Sequence, residues 1–290
     1  MQELYLLISD GQLCIQEGET LYSLTDAIPS LDWLLQHVPA DELIQVLLEQ
    51  RDSQLELNAF KPQAPVSHQE VWAAGVTYQR SEEARETESG RSNIYSKVYR
   101  AKRPELFFKA LGQNVVGPGE PVGIRFDAQW SVPEPELVVV VNSRLEVVGF
   151  SAGNDMCSRD IEGENPLYLP QAKIYDRSCA IGPSIWLQPN ASQWPSLTIQ
   201  LVIQRENTTI FEGSTSLQRI QRTLPDLVEF LGHCKSFPEG VFLLTGTGIV
   251  PPDDFTLQAG DLVTIAIDQI GKLHNLVQVV GGTNKAAVQG

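Results

Sequence analysis

The sequence predicts an α+β protein: a mixed, mostly antiparallel sheet, rolled or barrel-like, preceded by a small N-terminal α+β unit. Three observations carry this. After residue 104, β-rich runs follow at short intervals: "LFF", "ELVVVV", "LEVVGFSAG", "SLTIQLVIQ", "TTIFEGST", "GVFLLTGT" and "DLVTIAI". One clear helical pattern, within "IQRTLPDLVEFLGHC", interrupts them. There is no βαβ alternation, and "GTGIVPP" has neither the spacing nor the lysine of a phosphate loop.

In chain order, the apolar runs of "ELYLLISDGQLCIQEGETLYSL" meet at Asp10-Gly11, a hairpin signal. In "SLDWLLQHVPADELIQVLLEQ", Leu31, Leu34, Leu35 and Val38 form one helical face and Leu43, Val46 and Leu47 another. Pro39 separates the two helices, with Ser30 and Ala40-Asp41 as their start signals. "KPQAPVSHQ" reads as a linker. This gives residues 1–68 as an N-terminal unit with linker, 69–281 as the main domain and 282–290 as a flexible tail. Residues 80–103 are strongly charged, with helical pieces broken near Ser89-Gly90. They read either as a solvated helix or as a lid over a site.

The 290 residues suffice for a substantial core, and a composition 42% apolar and 20% charged is that of a globular chain. A formal net charge of -15 argues against nucleic acid and anionic membrane surfaces, both of which need a basic face. Cys14, Cys157, Cys179 and Cys234 form no CxxC pair and read as buried free thiols. The N-terminus lacks a basic region followed by a long apolar core, and no apolar run approaches the ~20 residues of a membrane span. The expectation is a soluble cytoplasmic protein.

The chemistry concentrates at "SVPEPELVVVV". On a strand, residues i and i+2 share a face, so Glu134 and Glu136 converge. Pro133 and Pro135 imply an edge or a bulge there. Asn142-Ser143-Arg144 reads as a turn, and a hairpin centred near 144–145 sets residue 134 opposite Asp155. Two glutamates and an aspartate make an oxygen-only set suited to Mg²⁺, Mn²⁺ or Ca²⁺ and not to zinc. Three protein ligands leave positions open for water and substrate. The competing reading is a solvated strand end.

These segments resemble the fumarylacetoacetate hydrolase superfamily. The similarity runs in order through "WAAGVTY", "RPELFFKALGQNVVGPGE", "PEPELVVVV", "GNDMCSRD", "LPQAKIYDRSCAIGP" and "LLTGTGIVPP". "VPEPEL" and "ENPLYLPQAKIY" look most like the 2-keto-3-deoxy-D-arabinonate dehydratase branch. The resemblance implies a fumarylacetoacetate hydrolase-like C-terminal fold and a homodimer or higher homo-oligomer. It also places the metal ligands on Glu134, Glu136 and Asp155. It carries Lys173 over as the active-site lysine. Arg159, Lys109, Thr247 and Tyr78 become substrate-contacting positions. Glu105, with Glu162, becomes the acid or base.

One departure separates subfamilies. The hydrolases carry His-x-x-Glu after the segment matching "TY", and that pair activates water. Here the histidine's place falls on Ser81, carried as a substrate-contacting position, and the glutamate's on Ala84. Glu162 likewise stands where the hydrolases tend to have glutamine. The resemblance thus implies a metal-dependent dehydratase of a 2-keto-3-deoxy sugar acid. Lys173 would remove the C3 proton, and Glu105 or Glu162 would protonate the departing C4 hydroxyl. A hydrolase or decarboxylase of acylpyruvates or oxaloacetate is the alternative, and a non-catalytic binding protein the third reading.

Overall fold

The structure, a computed structural model, describes residues 3–56, 60–78 and 94–282. Its strands in order are β1 (Leu4–Ser9), β2 (Gln12–Glu17), β3 (Thr20–Leu24), β4 (Arg51–Leu55), β5 (Glu70–Gly75), β6 (Glu105–Leu111), β7 (Val122–Arg125), β8 (Ser131–Val132) and β9 (Pro135–Val141). There follow β10 (Val147–Asp155), β11 (Cys157–Ser158), β12 (Cys179–Leu187), β13 (Thr198–Arg205), β14 (Thr208–Ser216), β15 (Val241–Leu244), β16 (Leu262–Ile267) and β17 (Gly271–Val280). The helices are α1 (Leu31–His37), α2 (Leu43–Glu49), α3 (Ile94–Arg100), α4 (Arg159–Glu164), α5 (Leu169–Lys173) and α6 (Leu224–Gly232).

Ten strands form one sheet in the order β4-β3-β2-β1-β12-β10-β9-β15-β5-β6, and five form another, β14-β13-β16-β17-β7. Among the described strands only β15/β5 and β17/β7 pair in parallel, so the sheets are mixed and mostly antiparallel as expected. No closed barrel forms among the described strands. The N-terminal strands join the large sheet directly, since Tyr5 and Leu6 of β1 pair with Trp186 and Ile185 of β12.

Strand β9 shows why its sequence is a solid apolar run. Leu137, Val139 and Val141 pack in a core with Ile199, Leu201 and Ile265 of the smaller sheet. Val138 and Val140 face the opposite core, built with Leu34 and Leu35 of α1 and Leu43 and Leu47 of α2. A strand buried on both faces has no reason to alternate.

The local signals act as read. Asp10 and Gly11 both take positive φ (49° and 76°), as a tight hairpin turn requires. Ser30 caps α1, its hydroxyl accepting from Trp33 N. The second helix begins later than Ala40-Asp41, at Leu43. Strands β12 and β17 escape the sequence pattern. Pro183 sits inside β12, where the β10 register shifts between Phe150 and Ala152. In β17 an inward position is Asn275, whose amide donates to the Gly117 and Glu120 carbonyls at 2.8 Å each. Cys14, Cys157 and Cys179 are buried free thiols, but Cys234, on the surface just past α6, is exposed, which corrects the expectation for that one. No helix among the described residues is long and apolar enough to cross a membrane.

Candidate active site

The β9–β10 hairpin assembles the carboxylates. Gly153 pairs with Glu136 and Asn154 with Pro135, and Asp155 N donates to the Glu134 carbonyl at 3.0 Å. A bulge between Val147 and Gly149 shifts the register by one, which brings Asp155 opposite Glu134. Pro135 needs neither an edge nor a bulge of its own. It is the first residue of an interior strand, beyond the last β15 pair at Val138 and Leu244, so its missing N–H breaks no ladder there.

Carboxylate oxygens of Glu134, Glu136 and Asp155 all lie within 4.8 Å of one another, and each residue is at most 3% exposed. Cations from three other elements surround them. Lys173, ending α5, donates from Nζ to Glu134 Oε2 at 2.7 Å and to Asp155 Oδ2 at 2.9 Å. Lys109, on β6, places Nζ 2.5 Å from Asp155 Oδ1. Arg159, opening α4, donates from Nη2 to Glu134 Oε1 at 3.1 Å.

Glu136 is served differently, by the Gly246 N–H at 2.6 Å. Burial, then the negative charges of Asp155 and Glu134, hold its carboxyl well above the ordinary range, against the opposing pull of Lys173. A dry, oxygen-only cluster in which one carboxylate resists ionisation fits a hard divalent cation, whose charge would remove the penalty.

The other expected residues lie as follows, and the cavity holding Glu105 and Glu162 is lined by none of the three carboxylates. Tyr78 is buried, and its hydroxyl has no hydrogen-bond partner among the described residues. Burial and the Glu136 charge push that phenol above its ordinary range. Thr247 is buried in the turn after β15, its hydroxyl accepting from Ile249 N at 3.2 Å. Glu105, opening β6, and Glu162, on α4, line one cavity of about 300 Å³ with Tyr95, Arg103 and Leu169. Ser81 lies outside the described residues. A larger opening of about 790 Å³, lined by Gln113, Asn114, Arg177 and Gln278, includes none of the three carboxylates.

Two contacts escaped sequence reasoning. Gly246 adopts φ +88°, and a Cβ there would clash with Thr77 Oγ1. Its place in "TGTG" marks a turn but not the donor it offers to Glu136. The Cys157 thiol donates to Glu162 Oε2 at 2.9 Å, a contact nothing in "NDMCSRD" announces.

The family model for the fumarylacetoacetate (FAA) hydrolase C-terminal domain matches residues 70–278. The chain belongs to that family. The match begins at β5 and contains all eleven positions singled out above. Within the FAA hydrolase family, the chain is 47% identical over 216 residues to a probable 2-keto-3-deoxyxylonate dehydratase of Haloferax volcanii, covering 74% of each chain. It is 40% identical over 223 residues to the 2-dehydro-3-deoxy-D-arabinonate dehydratase of Saccharolobus solfataricus, covering 75% of this chain and 74% of that one. A solved 2-keto-3-deoxy-D-arabinonate dehydratase, complexed with magnesium and 2,5-dioxopentanoate, superposes with a TM-score of 0.79 at 31% identity. That alignment covers 97% of this chain and all of the other.

Proposed function

We propose that this protein is a divalent-metal-dependent dehydratase of 2-keto-3-deoxy sugar acids, working as a cytoplasmic homodimer or higher homo-oligomer. The observation that carries the reading is the buried Glu134, Glu136 and Asp155 set with Lys173 spanning two of its members. The dehydratases at 40% and 47% identity support the substrate class, and the magnesium in the superposed dehydratase supports Mg²⁺ as the cation.

Glu134, Glu136 and Asp155 would hold the cation. When bound, it supplies Lewis-acid polarisation of the 2-keto group, which acidifies the neighbouring C3. The chain's own groups do the rest. With Glu134 and Asp155 engaged by the cation, Lys173 would shed its ammonium proton to solvent and, as the neutral amine, accept a C3 proton from the position its two carboxylate contacts give it. Glu105 or Glu162, on the shared cavity wall, protonates the C4 hydroxyl. The C3–H and C4–O bonds break, a C3–C4 double bond forms, and water leaves. For a pentonate, loss of a C5 proton and reprotonation along the chain give 2,5-dioxopentanoate. Burial of the centre keeps bulk water from competing for these protons.

The sequence also favours elimination over C–C hydrolysis. Ser81 and Ala84 stand where the hydrolases keep the pair that activates water. The test is a parallel incubation of the Mg²⁺-loaded protein with 2-keto-3-deoxy-D-arabinonate and with an acylpyruvate, read by mass spectrometry. Loss of one water from the sugar acid is expected. Release of pyruvate from the acylpyruvate, with the sugar acid untouched, overturns the assignment.

A further inference from the structure

Lys109, expected as a substrate contact, is held by the protein's own groups. It is 0% exposed. An ammonium has three N–H donors. Lys109 Nζ donates to the Met156 carbonyl at 2.9 Å and the Lys173 carbonyl at 2.6 Å, and its charge lies 2.5 Å from Asp155 Oδ1 in an ion pair without a hydrogen bond. The β5–β6 register slips at this point: Val71 pairs with Ala110 and Trp72 with Phe108, so Lys109 is the extra residue of a bulge. Bulges beside functional sites re-aim a side chain. Here the re-aimed chain ends on the backbone that follows one metal-ligand candidate and on the backbone of the candidate base.

From this we infer that Lys109 is a positioning residue that ties Asp155 to the end of α5. The inference rests on the proposed roles of Asp155 and Lys173. Asp155 has two oxygens, and Lys109 takes Oδ1 while Lys173 reaches Oδ2. Each oxygen thereby pairs with a different lysine. The Lys173 carbonyl ends a helix of five residues, where the last carbonyls have no helical partner. Lys109 and the Ser178 hydroxyl, at 2.9 Å, supply that partner instead. A single buried nitrogen therefore sets the separation of the metal ligand and the base.

Charge and placement must be separated in the test. Removing the charge would itself make the cluster more attractive to a cation, so Lys109→Arg is the informative variant. It keeps the charge, but a planar guanidinium cannot reproduce both carbonyl hydrogen bonds together with the close approach to Asp155. Supporting contacts around metal sites typically carry about 10–100-fold in metal affinity or activity. The expected result is a Mg²⁺ affinity about tenfold weaker by calorimetry on the metal-free protein, and kcat lower by at least about tenfold. KM at saturating Mg²⁺ stays within about threefold of wild type.

Mg²⁺ affinity and kcat both unchanged per folded molecule would overturn the inference. So would a raised KM with kcat preserved, the mark of a substrate contact. If Lys109→Arg does not fold, Lys109→Met, close in volume, must show the same fall in kcat at constant KM. Calorimetry needs no substrate, so if the wild type fails to dehydrate the sugar acid, the Mg²⁺ affinity of Lys109→Arg still decides this point separately.

Discussion

Glu136 is the carboxylate whose direct partner is a backbone N–H while the lysines and arginine crowd Glu134 and Asp155. Its raised pKa has a definite sign. The folded metal-free protein keeps the proton at pH values where the unfolded chain, near the ordinary 4.5, has lost it. This contribution to stability is full below that value and is lost as pH rises toward the folded pKa. A divalent cation takes the proton's place. The thermal stabilisation by Mg²⁺ should therefore grow from pH 5 to pH 8 in melting scans, and a flat dependence would count against the metal assignment. Tyr78 supports a second prediction. Its hydroxyl is buried with no partner among the described residues, so Tyr78→Phe should change stability by less than about 0.5 kcal/mol. If that hydroxyl waits for substrate, KM should rise severalfold, which steady-state kinetics would show.

At the scale of elements, the hairpin of β9 and β10 was legible because side-chain parity is rigid and Asn142-Ser143-Arg144 marks a turn. The bulge between Val147 and Gly149 was not, although it completes the alignment of Asp155 with Glu134. Strand β12 was hidden by Pro183, and α4 and α5 are too short to show a helical period, yet they deliver Arg159, Glu162 and Lys173. The turn after β15 can be tested directly. Gly246→Ala places a Cβ against Thr77 at a positive φ, so a destabilisation of about 1–3 kcal/mol is expected, with weaker Mg²⁺ binding as Glu136 loses its donor. By contrast, Thr223→Ala removes the cap of α6, far from the carboxylates in the chain's wiring. It should cost about 1 kcal/mol in denaturant unfolding and leave kcat unchanged.

For the whole molecule, the mixed antiparallel architecture could be read from the density of short apolar runs. The joining of β1 to β12 could not, because a pairing between segments so distant in sequence leaves no local trace. The three carboxylates were legible for the same reason as the hairpin, and Lys173 through resemblance. The two carbonyls that accept from Lys109 and the donation from Gly246 depend on distant backbone and appear only in three dimensions. The thiols report on global packing. Three of the four are buried, and burial pushes Cys179 up to about 12. A disulfide thiol reagent should thus titrate one thiol, Cys234, in the native protein and all four after denaturation. In the proposed function, one buried centre unites a cation site with a lysine base. Its most direct test is the rate of 2,5-dioxopentanoate formation from 2-keto-3-deoxy-D-arabinonate across a Mg²⁺ titration, for wild type and Lys173→Met. Turnover should rise with Mg²⁺ and vanish with EDTA in the wild type, and fall by about 10²–10⁴-fold in Lys173→Met with Mg²⁺ still bound. Turnover that ignores EDTA, or a Lys173→Met enzyme close to wild type, would contradict the proposed function.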